Sequence, residues 1–234
     1  MSTLPPSPDI VRERVDSLRA LIHDLRGDPR AVRIIAVTKT FDASALDVAA
    51  EAGCDAIGEN YAQELLGKLP LRTGAVRLPV HFIGRLQSNK VKALFPHVDL
   101  WHTVDRPSLI SALGKEARAA GTTPRVLIQV NSTGEDQKSG CTPADAAVLV
   151  DGAREAGLEI VGLMTMGPSD ADPVVTRHSF RVVATLARQL GLAELSMGMT
   201  HDVRIAIEEG ATMVRIGSGL FGDRPHSARG TRIA

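Results

Sequence analysis

The chain has 234 residues, 44% of them hydrophobic, enough to bury a full core as one larger α/β domain or two small ones. Its 27 basic and 27 acidic residues cancel, with no basic block beyond the short Arg224 to Arg232 tail, which argues against electrostatic capture of nucleic acid and for a small-molecule partner. The start is polar and proline-rich, nowhere do 18 apolar residues run together, and Cys54, Cys141 and seven scattered histidines show no metal-ligand spacing, so a cytoplasmic protein without membrane span or metal is expected.

In chain order, an amphipathic helix is predicted over Asp9 to Arg26, followed by β-rich runs at Arg33–Val37, Asp55–Ile57, Val80–Ile83, Leu100–Val104, Arg125–Val130, Ile160–Leu163, Glu194–Ser196 and Met213–Ile216. Between them lie helical patterns at Ala43–Ala52, Gln63–Lys68, Asn89–Phe95, Pro107–Ala120, Pro143–Ala156, Val174–Leu190 and His201–Glu209, several stopped by glycine. Strands alternating with helices imply parallel pairing, and eight such units point to a single-domain (β/α)8 barrel with an additional N-terminal helix. A doubly wound open sheet is the alternative. Residues 1–8 and 225–234 are expected to be flexible tails.

A barrel places its chemistry on the loops after the strands, and the unusual residues fall there. Strand one ends at Thr38-Lys39-Thr40, an amine at the edge of a buried strand that suits a Schiff base; a solvated lysine at a strand end is the competing reading. Strand two runs into Gly58-Glu59-Asn60-Tyr61 and strand three into Gly84-Arg85-Leu86-Gln87-Ser88-Asn89-Lys90. After strands seven and eight, Ser196-Met197-Gly198-Met199-Thr200 and Gly217-Ser218-Gly219 read either as a phosphate cradle, with Thr200 capping a helix that begins near His201, or as ordinary turns. Arg215, within strand eight, alternates toward the interior, where it needs a partner; Glu59 is one candidate.

The segments Ala36 to Thr40, Gly58 to Glu64, His81 to Lys90, Lys138 to Gly140, Gly162 to Met164, Leu195 to Met199 and Val214 to Ser218 together resemble the pyridoxal phosphate homeostasis protein family, relatives of the alanine racemase barrel domain. The resemblance runs from Ile34 to Arg224. It implies a protein that carries or buffers pyridoxal 5'-phosphate (PLP) in vitamin B6 and amino-acid homeostasis without robust catalysis. Lys39 would hold the cofactor as a Schiff base, Arg215 would face the pyridine nitrogen, and Asn60 would lie beside the ring. Ser196, Met199, Thr200, Gly217 and Ser218 would hold the phosphate. Departures from the family pattern are Arg85 in place of a usual proline, Thr200-His201 in place of a serine and an acidic residue, and Gly167 in a variable loop.

In the racemase relatives an acid/base tyrosine comes from an additional β-domain, and this chain is expected to lack it. Its only tyrosine, Tyr61, reads as core or rim packing. The resemblance therefore implies a monomer with PLP-dependent apoenzymes as possible recipients; a small PLP-dependent racemase or lyase is the alternative.

Overall fold

The computed structural model describes residues 3–222. Eight parallel strands close into a barrel in sequence order: β1 (Arg33–Val37), β2 (Ala56–Glu59), β3 (Val80–Phe82), β4 (Leu100–Val104), β5 (Arg125–Gln129), β6 (Glu159–Met164), β7 (Glu194–Ser196) and β8 (Met213–Ile216). Closure comes from β1 pairing with β8 in the register Ile34↔Val214 and Ile35↔Arg215. Their Val/Ile/Leu-rich sequences are those expected of strands covered on both faces.

The helices are α1 (Pro8–Arg26), α2 (Ser44–Glu51), α3 (Ala62–Lys68), α4 (Val91–Leu94), α5 (Pro107–Ala120), α6 (Ala146–Glu155), α7 (Pro173–Gln189), α8 (Val203–Glu208) and α9 (Ser218–Phe221). None is long and apolar enough to cross a membrane among the described residues. The helix expected over Asn89–Phe95 is only the single turn α4, flanked by 3-10 turns at Ser88–Lys90 and Phe95–His97, because Pro96 has no N–H to continue an α ladder.

The additional helix α1 belongs to the outer ring. Val11, Val15, Leu18 and Ile22 form one buried stripe, and the helix packs between α2 on one side and α8 and α9 on the other. At about 1.5–3 kcal/mol for each large apolar side chain buried, this stripe makes α1 integral to the barrel. Arg19 fastens its C-terminal half, donating to the Val32 carbonyl at 2.9 Å and to Asp55 at 2.5 Å. The preceding segment, expected as a loose tail, is also attached: Thr3 bridges to Phe41, accepting from the Asp42 N–H at 2.9 Å. The expected tail at 225–234 lies outside the described residues.

Most of the core lies between strands and helices. A second, smaller cluster, built from Ile35, Ala56, Leu100, Leu127, Met164 and Met213, fills part of the interior. The remainder of the interior is polar, and it supports the site.

Candidate functional site

Lys39 stands directly after β1, partly buried, between Thr38, which is fully buried, and Thr40, whose φ of 72° is unusual for a residue with a branched side chain. Both neighbours are held by one array of charges. Lys68, on the last turn of α3, donates to the Thr38 carbonyl at 2.8 Å, to Glu59 Oε1 at 2.7 Å and to Glu64 Oε1 at 2.5 Å. The Thr38 hydroxyl donates to Glu59 Oε1 at 2.7 Å, and the Thr40 N–H donates to Glu64 Oε1 at 2.5 Å. The strained turn that presents Lys39 is thus pinned on each side, an arrangement in which surrounding structure sustains a backbone conformation that costs free energy. Burial pushes the Glu59 carboxyl above its usual range while the Lys68 ammonium opposes the shift.

Inside the barrel, a hydrogen-bonded chain crosses from β8 and β7 to β4 and β3. Arg215 donates to Ser196 Oγ at 2.6 Å and to the Thr165 carbonyl at 2.9 Å. Ser196 Oγ lies 2.9 Å from His102 Nδ1, and His102 Nε2 lies 3.0 Å from His81 Nδ1. The guanidinium only donates, so Ser196 Oγ accepts from Arg215; the two imidazole bonds follow the tautomers, with Ser196 donating to His102 Nδ1 and His102 Nε2–H to His81 Nδ1 where His102 carries its proton on Nε2. Burial lowers both imidazoles, His81 to about 3 and His102 well below its usual value, so both are neutral. Burial also draws Arg215 down to about 10, with Asp202 opposing, and it stays cationic at neutral pH.

This pair makes the barrel acid-sensitive. Each imidazole binds its proton more weakly folded than unfolded, so stability is complete above the unfolded value of 6.5 and falls as pH drops from 6.5 toward about 3. In denaturant titrations between pH 7.5 and 4.5, the slope of unfolding free energy against pH should be steeper for the parent than for His81→Gln/His102→Gln, by up to two protons. Equal slopes would contradict the neutral assignment.

Of the residues singled out in the sequence, Lys39, Asn60, Met199, Thr200 and Gly217 lie on loops at the C-terminal ends of strands, and Ser218 opens α9 just after β8. Arg215 points inward as its alternation predicts, but its partners are Ser196 and Thr165 rather than Glu59. Ser196 differs most from expectation: its hydroxyl is fully buried beneath the rim and occupied by Arg215 and His102. Thr200 does not cap α8, which starts later, at Val203; Asp202 turns the chain there by accepting from the Met199 N–H at 2.5 Å. The Thr200 hydroxyl instead accepts from the Gly219 N–H at 3.1 Å and from the Ser218 hydroxyl at 3.3 Å, tying the loops after β7 and β8 together. Gly219 is required there, since a Cβ would lie 2.9 Å from Ile216 and 3.1 Å from Thr200. Gly217 packs on Val37, so this double loop leaves the barrel beside the strand that carries Lys39.

Asn60 follows Glu59, and its Oδ1 is buried without a partner among the described residues. Gly84 presses on it so closely that a Cβ there would lie 1.9 Å from the Asn60 carbonyl oxygen. Tyr61 is 56% exposed, on the rim. Cys54 and Cys141 are buried, and burial pushes both thiols up to about 12, which leaves them inert as nucleophiles.

A closed parallel barrel with its polar loops on one rim and a lysine after the first strand is the architecture of the alanine racemase N-terminal domain, and that family's description matches residues 11–225. The alanine racemase of Clostridium difficile superposes with a TM-score of 0.73 at 13% identity, covering 94% of this chain and 58% of that one, a likeness of fold alone. Within this class the chain belongs to the pyridoxal phosphate homeostasis protein family. It is 42% identical over 207 residues to the Pseudomonas aeruginosa protein of that name, covering 86% of this chain and 88% of the relative. PipY of Synechococcus elongatus, solved with PLP bound, superposes with a TM-score of 0.79 at 34% identity and covers 91% of this chain and all of its own.

Proposed function

We propose that the chain binds PLP reversibly through Lys39 and serves as a carrier or buffer of the cofactor in vitamin B6 and amino-acid homeostasis. The observation that carries this reading is the presentation of Lys39: an amine on a pinned, strained turn, on the same rim as a glycine-lined double loop. Family membership supports it. The residues present also fit the group. Asn60 Oδ1 is buried without a donor among the described residues, and at Gly219 a Cβ would collide with Ile216 and Thr200, so the chain there is bare backbone.

When bound, PLP supplies an aldehyde that condenses with amines and a ring that withdraws electrons. Lys39 would be the amine that bonds the aldehyde. Asn60 would lie beside the ring, while Met199, Thr200, Gly217 and Ser218 would offer backbone and hydroxyl groups to the phosphate. Arg215 would hold a fixed positive charge toward the ring nitrogen, which would disfavour its protonation and weaken electron withdrawal. Ser196 contributes from below, by orienting Arg215. The only tyrosine, Tyr61, is exposed on the rim. These features support a reading of binding without robust catalysis, and we propose a cytoplasmic monomer that yields PLP to dependent apoenzymes.

Two measurements test this. Borohydride reduction of the PLP-loaded protein should add one pyridoxyl group, and proton exchange at the α-carbon of alanine in heavy water should run no faster than with free PLP. Exchange at about 1 s⁻¹ or more, within the usual range of enzyme turnover, would instead support a small racemase or lyase. At the double loop, Thr200→Val or Ser218→Ala should weaken PLP by about 1 kcal/mol each, the net worth of a hydrogen bond, and leave unphosphorylated pyridoxal unaffected in fluorescence titrations. Equal losses for both vitamers would remove the phosphate from these loops.

A further inference from the structure

The Met199 N–H, one of the donors proposed for the phosphate, is already in use. Asp202 Oδ1 accepts from it at 2.5 Å, and the Asp202 N–H donates back to the Met199 carbonyl at 3.2 Å, so the pair closes a tight turn around Thr200 and His201. The carboxylate is not spent on the helix that follows: α8 starts at Val203, and no side-chain bond from Asp202 caps it. Its second oxygen lies against the loop after β6, where a Cβ on Gly167 would come 2.7 Å from Asp202 Oδ2. Burial pushes this carboxyl above its usual range, against the Met199 N–H and the Arg215 guanidinium.

The turn has little room to rearrange. Gly198 has a φ of 96° and packs so closely that a Cβ would lie 2.5 Å from Ala206, while its carbonyl accepts from the Arg215 N–H at 2.9 Å. Asp202 therefore stays on the turn when a ligand arrives. Two acceptors that converge on one N–H stand in contact, and two anions in contact repel. Asparagine or serine would accept from the same N–H without a charge. What the carboxylate adds to the turn is a negative charge beside the place where a phosphate would sit.

We infer that Asp202 sets how tightly the double loop holds a phosphate: its carboxylate occupies the Met199 N–H of the free protein and repels a phosphate dianion arriving on the same turn, so PLP is held more weakly than the donors alone would hold it. This role rests on the PLP phosphate lying at the loops after β7 and β8. For a carrier the consequence is release, since an affinity set by opposed contributions lets the cofactor leave without opening the turn that received it.

The experiment is calorimetric titration of Asp202→Asn and Asp202→Ser with PLP, with unphosphorylated pyridoxal and, in the cofactor-free protein, with inorganic phosphate. PLP and inorganic phosphate should bind both variants about tenfold or more tightly than the parent, and pyridoxal should stay within about twofold, because a charge acts on the phosphate alone. The sign separates charge from scaffolding: a carboxylate that only held the turn together would weaken PLP on removal, alongside a lower melting temperature. PLP binding unchanged or weaker in both variants, or a gain shared equally by pyridoxal, would overturn the inference. If Thr200→Val and Ser218→Ala still cost affinity for PLP and not for pyridoxal, only the role of Asp202 falls; if they weaken both vitamers equally, the phosphate placement falls and the role of Asp202 with it.

Discussion

Lys39→Ala should fold as the parent does and take up no pyridoxyl group on borohydride reduction in the presence of PLP, a complete loss read by intact mass. The turn is held from its flanks, through Thr38 and Thr40 to Glu59, Glu64 and Lys68, so truncating the side chain between them leaves those bonds in place. Lys68 cannot substitute as the nucleophile. It is 5% exposed, with its ammonium committed to two carboxylates and a carbonyl. Lys138 is likewise bound, to Glu135 and the Gly167 carbonyl. Labelling that persists in the variant at Lys90 or Lys138, mapped by peptide mass, would defeat the assignment of Lys39.

The second large effect is on stability. Lys68→Met should cost about 3–5 kcal/mol, because it strands the carboxylate of Glu59, which is 0% exposed, and breaking a buried ion pair leaves an uncompensated charge. The sign of its pH dependence separates this cause from lost packing. Without the ammonium, burial and the Glu64 charge act on Glu59 against the Thr38 hydrogen bond alone and raise its folded value further above the unfolded one. The folded variant then binds the proton more tightly than the unfolded chain, so the deficit relative to the parent should shrink as pH falls and widen as pH rises through that raised value. Glu59→Gln/Lys68→Met, which removes the charge as well, should recover much of the loss. A deficit constant from pH 5 to 8 would mean that Glu59 is not the cause.

Much of the barrel is legible in the sequence because each strand is a short apolar run bounded by turn residues, and eight of them alternating with helical patterns admit few closures. Lys39 is legible for the same reason: an amine two residues after Ile34-Ile35-Ala36-Val37 cannot avoid the strand end. Arg215 is placed correctly by alternation alone. Beneath the rim, legibility fades. Ser196 closes a strand of three residues, too short for alternation to say which of its ends dips inward. Thr200 has the chemistry of a cap, and only the contact across two loops shows that its partner is Gly219. Lys68 is not singled out in the sequence: its i, i+4 spacing from Glu64 is the available signal, but nothing local reveals Glu59 beneath it. His81 and His102 sit in apolar strands where each alone is an ordinary core histidine. Their relation is a long-range fact that depends on β4 and β7 facing each other across the interior.

The position of α1 has a consequence for biosynthesis. Its apolar stripe is covered partly by α8, and the last residue of α1 and the first of α8 are 177 positions apart (203 − 26). At about 5–20 residues per second, a ribosome exposes Val11, Val15, Leu18 and Ile22 for about 10–35 s before their covering segment has been made. The ends of the sheet wait as long, since β1 must find β8. Contacts of such sequence separation slow folding, so closure is an event that follows translation, and until then the nascent chain offers a sticky amphipathic helix and two unpaired strand edges to its surroundings.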